Sequence, residues 1–340
     1  MKAAVLREFG QPLELEDVPD PSPGPDEVVI KVKACGIDGT DVKLLEGFGY
    51  RPELPFITGH EPAGVVQELG EAVTEVQRGD RVVVYNFTTC GVCELCRANR
   101  ANLCPNMTAV LGVRNRPGGH AELLVVPSRQ LVTIPDQIPW TDAAVLGDAG
   151  ITAFHAIDRA QLKLGETILI VGVGGVGSYA VQFAKLAGAR VITVDVTEEK
   201  VQRSLLLGAD KAINATQVDV VDQVREFTDN WGVDCAIDIV GTQSTIGTGV
   251  DSLRNGGRIV IVGYTPEEYP VSGKRMAQNE LQLIGSRCGR QQDLIDVVRL
   301  VAQGRTQSIV TDLLPLGRIN EALDLLRAGK VLGRVVLQTE

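Results

Sequence analysis

The chain has 340 residues, of which 44% are hydrophobic and 22% charged, a length and balance suited to a soluble globular protein with two cores. Its net charge of −10 speaks against nucleic acid or an anionic membrane surface as the main partner. No apolar run reaches membrane-spanning length, and Met1-Lys2-Ala3-Ala4-Val5 leads into a strand-like segment without a signal-peptide pattern, so a cytoplasmic protein is expected.

Residues 1 to about 150 read as mostly β, with short apolar stretches (Val28 to Val32, Gly64 to Glu68, Arg81 to Tyr85, Ala121 to Val126) between Pro- and Gly-rich turns. Within them lies Cys90-x2-Cys93-x2-Cys96-x7-Cys104. Four thiolates in one polar loop match a closed, tetrahedral, structural zinc site, in which the ion supplies folding energy that the loop's few apolar residues cannot. With no open coordination position, that zinc is not expected to do chemistry. Cys235 and Cys288 are read as small buried apolar residues.

From about residue 151 the period changes. Strand-like runs at 167–171, 190–194, 234–239, 258–263 and 281–284 alternate with helical patterns, with Ala212-Ile213 as a shorter candidate strand, which predicts a doubly wound parallel sheet covered by helices. Its first strand runs into Gly172-Val173-Gly174-Gly175-Val176-Gly177, a G-x-G-x-x-G at the start of a helix. Gly172 suits the tight turn, Gly174 the approach of a pyrophosphate, and Gly177 the packing of helix on strand. The helix start, around Gly175 and Val176, offers open N–H groups to phosphate. Asp195, 18 residues past Gly177, is placed to accept both hydroxyls of an adenosine ribose and to repel a 2′-phosphate, so NAD is the expected cofactor. After about Ser286 come two helical segments and a last strand, Arg334 to Gln338. The expected domains are therefore 1–150 completed by 287–340, and 151–286.

Together these features resemble the zinc-containing medium-chain alcohol dehydrogenase family, over essentially the whole chain. Gly59-His60-Glu61-Pro62-Ala63-Gly64, Gly118-Gly119-His120-Ala121-Glu122 and Gly333-Arg334-Val335-Val336-Leu337 are similar to its motifs. The resemblance implies a GroES-like β-rich catalytic domain beside a Rossmann domain, with a metal polarising an alcohol or carbonyl oxygen while NAD exchanges hydride. It places His60 and Glu61 at the catalytic metal, Asp195 and Lys200 at the adenosine ribose, Arg334 at the pyrophosphate, and nicotinamide near Val262-Gly263-Tyr264. Thr40 falls where the family relays the alcohol's proton, against the alternative of a turn residue, and Lys43 replaces the histidine that passes the proton outward in some members. Phe48, Tyr50, Asn86, Phe87, Arg114 and Arg116 occupy pocket positions, the arginines facing either an acidic substrate or solvent. His120 and His155 are read as ordinary turn and helix residues.

Two positions depart from the pattern. Asp38 and Asp148 stand where the family carries cysteine ligands; Cys35 is three residues early and on the opposite strand face. Two carboxylates replace two thiolates at equal formal charge, and zinc accepts both, although an oxygen-rich set also admits manganese or iron. Asp38, Asp148 and Glu61 around one histidine would repel one another, and a cation resolves this better than protonation at neutral pH. The expected activity is NAD-dependent, metal-assisted interconversion of a secondary alcohol, polyol or sugar with its carbonyl compound. The alternatives are a metal-free enone or quinone reductase keeping only the structural zinc, and a non-catalytic dinucleotide-binding protein. A homodimer or homotetramer is expected, from the family and from the apolar Arg258–Val262 run near the sheet's end, which could pair across a two-fold axis.

Overall fold

The alternation in Glu27-Val28-Val29-Ile30-Lys31-Val32 builds the longest strand, Glu27–Ile37, of the computed structural model, which describes residues 1–339. This strand is buried at most positions, without a break from Ala34 to Ile37, and it has neighbours on both edges. Glu61–Leu69 runs antiparallel along one edge, while Leu123–Pro127 and then Arg334–Gln338 share the other. Arg81–Val84 and Leu131–Thr133 extend the sheet on the Glu61–Leu69 side, and Val310–Pro315 closes it beyond Arg334–Gln338. Two pairings in this register matter for function: Gly36 lies opposite Glu61, and Ile37 lies opposite Val335. They bring Asp38, just past the strand, to the same end of the sheet as Glu61 and Arg334.

This sheet belongs to a unit made of Met1–Gly150 and the chain from Arg290 onward. Leu6, Ile37 and Leu45 from the start of the chain share one core with Ile319, Leu323, Val335 and Leu337 from its end. That shared burial is what ties the two segments into one unit.

The second unit, Ile151–Gly289, is a Rossmann domain. Numbered from its own start, its strands are β1 (Thr167–Val171), β2 (Arg190–Asp195), β3 (Lys211–Asn214), β4 (Val233–Asp238), β5 (Leu253–Ile261) and β6 (Gln282–Gly285). They pair in parallel in the order 3-2-1-4-5-6, with the order reversing beside β1, where such sheets bind dinucleotides. Leu169, Ile192, Val194, Ala236 and Ile259 fill one of its cores. The Ala212-Ile213 run is indeed a strand, at one edge of the sheet.

One expectation is corrected here. The apolar Arg258–Val262 run lies near the sheet's end, but it cannot itself pair across a two-fold axis: β5 is bonded to β4 on one side and to β6 on the other. Its hydrophobicity reflects burial in the sheet interior. The sheet's two edges are β3 and β6.

Candidate active site, zinc loop and nucleotide site

In the Rossmann unit the glycine motif takes the form its chemistry requires. A Cβ on Gly177 would stand 2.0 Å from the carbonyl oxygen of Gly172, so no side chain fits there. Gly174 is the N-cap of helix Gly175–Leu186, makes no side-chain cap, and faces open space where a Cβ would sit. The first N–H groups of that helix therefore remain available to an anion. Asp195, at the end of β2, accepts the Val173 N–H at 2.8 Å through Oδ2, and those of Val196 and Thr197 at 2.8 and 3.0 Å through Oδ1. The carboxylate thus anchors the glycine loop. Lys200 and Arg203 follow on helix Glu198–Leu206; burial depresses the Arg203 pKa while Asp195 opposes the shift.

Val262 and Gly263 both donate their N–H to the Asp238 carbonyl, at 2.9 and 3.1 Å. Asp238 itself is a residue that the motifs did not reveal. Its buried carboxylate accepts the Val240 and Gly241 N–H groups, each at 3.1 Å, and the Thr245 hydroxyl at 3.2 Å, and so shapes the loop after β4.

The zinc loop brings its four cysteines together. Sγ distances are 3.9 Å for Cys90–Cys96, 3.8 Å for Cys93–Cys104 and 3.5 Å for Cys104–Cys90. Four sulfurs about 2.3 Å from a tetrahedral zinc lie about 3.8 Å from one another, so the donor set fits that ion. The Cys93 N–H points at the sulfur of Cys90 and the Cys96 N–H at that of Cys93, and the backbone bonds to Cys90 lower its thiol to about 6, towards the thiolate a metal needs. Cys235 is buried within β4, as read, whereas Cys288 is half-buried, in a left-handed turn with φ of 42°.

The second cluster occupies the end of the large sheet, within the first unit. Asp38 is the N-cap of helix Gly39–Leu45: its Oδ1 accepts the Thr40 N–H at 2.7 Å, and Asp41 Oδ2 returns the bond by accepting the Asp38 N–H at 3.0 Å. His60 is buried, with Nε2 at 3.6 Å from Asp38 Oδ1 and 3.8 Å from Asp148 Oδ2. Its Nδ1 lies 3.6 Å from Asp41 Oδ1. These separations are too long for hydrogen bonds, and neither ring nitrogen has a partner. Ligand atoms of Asp38, His60 and Asp148 all lie within 4.8 Å of one another, the spacing of donors around one small divalent ion. An orphaned imidazole nitrogen between two carboxylate oxygens therefore fits a metal. Asp41 was missed as a participant; facing Nδ1, it can orient the ring so that Nε2 points at the ion. Its Asp38-x-x-Asp41 spacing carries a capping signature that could have drawn attention to it.

Asp148 sits in a π-helical turn, Leu146–Gly150, a widened turn of the kind found at functional sites. Glu61 is wholly buried: Oε1 accepts the Ala149 N–H at 3.0 Å, and Oε2 has no partner. It owes its place to Gly36, where a Cβ would fall 1.9 Å from Oε2.

Arg334 corrects the picture drawn from charges alone. Its side chain reaches into the cluster itself. Nη2 bonds Glu61 Oε1 at 2.9 Å and Asp148 Oδ2 at 3.1 Å, and Nη1 lies 3.3 Å from Asp38 Oδ2. The acidic cluster thus already contains one cation of the chain's own. Burial raises the Glu61 carboxyl to about 8 against the pull of Arg334. Asp38 is held down at about 2, because Arg334, His60 and the Thr40 bonds outweigh its burial. Burial disfavours the charged His60 ring, but Asp41 and Asp38 prevail and hold its pKa well above the usual value.

Other expectations resolve simply. Thr40 lies in the first turn of Gly39–Leu45, half-buried, and Lys43 in the last, where burial lowers its pKa against the opposing Asp38. His120 is a core residue: Nε2 donates to the Gly36 carbonyl at 3.3 Å and Nδ1 accepts from the Thr58 hydroxyl at 2.9 Å. His155 is buried on helix Ile151–Ala160. Arg116 pairs with Glu27 at 2.9 Å, and Arg114 bonds the Met107 carbonyl at 3.1 Å. Both arginines are engaged with the chain's own groups, and neither supports an acidic substrate. Asn86 and Phe87 are buried, and Phe48 and Tyr50 are not.

A GroES-like β-rich unit with a four-cysteine loop and an acid–histidine cluster, joined to a Rossmann unit, defines a zinc-type dehydrogenase. The comparisons agree. Residues 24–136 match the alcohol dehydrogenase GroES-like domain and residues 175–303 the zinc-binding dehydrogenase domain. An alcohol dehydrogenase of Geobacillus stearothermophilus is 35% identical over 100% of both chains. An NAD-dependent alcohol dehydrogenase of Saccharolobus solfataricus is 35% identical over 99% of each. The crystal structure of the Aeropyrum pernix alcohol dehydrogenase superposes with a TM-score of 0.94 at 37% identity, covering 99% of this chain and 100% of that one. The chain belongs to the zinc-containing medium-chain alcohol dehydrogenase family.

Proposed function

We propose that the chain is an NAD-dependent oxidoreductase interconverting an alcohol and its carbonyl compound, assisted by a divalent metal held by Asp38, His60 and Asp148. The observation that carries this reading is the orphaned, buried His60 Nε2 between Asp38 Oδ1 and Asp148 Oδ2. A bound ion there supplies Lewis acidity that lowers the alcohol's pKa, and NAD supplies the hydride acceptor. The chain's own residues do the rest. Asp41 orients the imidazole, the helix N-terminus fixes Asp38, and the Ala149 N–H and Arg334 hold Glu61 in reserve beside the cluster. The Thr40 hydroxyl accepts the substrate's proton and hands it outward, with Lys43 one helical turn on. Gly172, Gly174, Gly175, Val176 and Gly177 cradle the pyrophosphate, Asp195 and Lys200 hold the ribose, and Val262 and Gly263 form the nicotinamide end.

Secondary alcohols, polyols and sugars are the substrates we assign to this chemistry. We further read the protein as a cytoplasmic homo-oligomer whose contact uses the open edge of β6; no helix among the described residues is long and apolar enough to cross a membrane. Metal analysis combined with NADH formation on an alcohol panel tests the whole. Two ions per chain are expected, one removable by chelation together with activity. One zinc per chain in a fully active preparation that reduces enones would replace this reading with the metal-free reductase.

A further inference from the structure

Arg334 touches three of the cluster's four carboxylates, those of Asp38, Glu61 and Asp148, but not in the same way. At Asp38 the two oxygens are divided: Oδ1 faces His60 Nε2 and Oδ2 faces Nη1 of Arg334. A cation bound to Oδ1 and the guanidinium can share that residue. At Asp148 a single oxygen, Oδ2, faces both His60 Nε2 at 3.8 Å and Arg334 Nη2 at 3.1 Å. We propose that Arg334 is a built-in competitor of the divalent ion, pairing with Asp148 whenever no ion is bound there and yielding it when the ion binds, so that this chain holds its second metal in an exchangeable way. The proposal rests on the metal site proposed above.

The physical reason lies in the two ligands that depart from the family pattern. A guanidinium is planar, stays charged, and matches carboxylates through its fork of donors. Aspartates at positions 38 and 148 therefore offer Arg334 ion pairs of a geometry that single sulfur atoms do not. The contact is also well placed to be given up. Nη2 is shared between Glu61 and Asp148, so losing Asp148 leaves the Glu61 bond and the Asp38 contact in place. The buried Nε makes no hydrogen bond that a tilt of the side chain would break. With an ion bound, Arg334 would remain close by as a like charge and lower its affinity.

The test is a metal titration of the full chain with its cysteine loop already loaded, using Zn²⁺ and then Mn²⁺ against a competing chelator, with uptake followed by stopped flow. In R334Q the second ion should bind about tenfold or more tightly than in wild type, with R334K in between because one ammonium cannot span the three carboxylates. Wild-type uptake should reach a plateau rate as metal is raised, since Asp148 must first leave Arg334, whereas R334Q uptake should rise in proportion. Equal or weaker binding by a folded R334Q overturns the proposal. If R334Q does not fold, wild-type uptake decides: a rate still linear in metal at millimolar concentration overturns it and a plateau supports it. A second ion bound equally by both proteins defeats the competition alone; a second ion bound by neither defeats the metal site as well.

Discussion

Arg334 Nη2 and Glu61 Oε1 are 2.9 Å apart across 273 residues of sequence. Both are buried, and this bond joins the last strand of the chain to the strand that begins beside His60. The Glu61 carboxyl nevertheless sits at about 8, because burial and the charges of Asp148 and Asp38 outweigh the help of Arg334.

That shift makes a prediction for the metal-stripped protein. The native pKa of Glu61 lies above its ordinary value of 4.5, so the folded state binds a proton that the unfolded state releases. Its contribution to stability is complete below about pH 4.5 and is lost as pH rises through about 8. His60, also raised, acts with the same sign. Thermal melts of the chelated protein should show Tm falling from about pH 5 to about pH 8, and Glu61→Gln should flatten the fall. A Tm that rises over this range, or an identical slope in the variant, would contradict the assignment.

Asp38 caps its helix, pairs with Arg334 and is a proposed metal ligand, and substitution can separate these roles. Asn caps a helix about as well as Asp, whereas Ala costs about 1 kcal/mol. Asp38→Asn should therefore keep the cap, lose only the stability that the Arg334 pair gives the carboxylate, and lower second-ion occupancy and kcat together. Asp38→Ala should lose the cap as well. Asp148→Asn should resemble Asp38→Asn in metal content, and added metal should partly restore both rates. Replacing both aspartates by cysteine restores a sulfur-rich set at the same formal charge, so zinc should bind at least as tightly with some activity retained.

Asp195 is expected to confer preference for NAD over NADP. Asp195→Ala removes the ribose acceptor and also releases the Val173 N–H that anchors the glycine loop. Charge-assisted hydrogen bonds are worth about 1.5–3 kcal/mol, so kcat/KM for NAD should fall roughly 10- to 100-fold and the gap to NADP should narrow. Equal kcat/KM for the two cofactors in the wild type would refute the assignment.

The cysteine loop should carry one zinc that supports the fold. Cys93 supplies a sulfur, accepts the Cys96 N–H and caps helix Glu94–Arg97. Cys93→Ser should lower Tm by several degrees or disturb assembly, with kcat of the remaining folded protein little changed. Intact stability with abolished turnover would reverse the roles of the two metal sites.

Much of this protein was legible in its linear order because the signals are local. The glycine motif, its preceding strand and Asp195 lie within one β-helix-β stretch, and the zinc loop spans Cys90 to Cys104, so spacing alone carries their chemistry. His60, Glu61, Asp38 and Asp148 could be named through motif resemblance. Their mutual arrangement could not, because it depends on strand register: Gly36 opposite Glu61 and Ile37 opposite Val335. Only that register shows that Arg334 stands among the carboxylates, and that Gly36 is a glycine because Glu61 needs the space. Likewise the apolar Arg258–Val262 run looks the same in sequence whether it is an interior strand of a sheet or its edge strand. Hydrophobicity records that a strand is buried; which strand lies beside it is settled only by tertiary pairing.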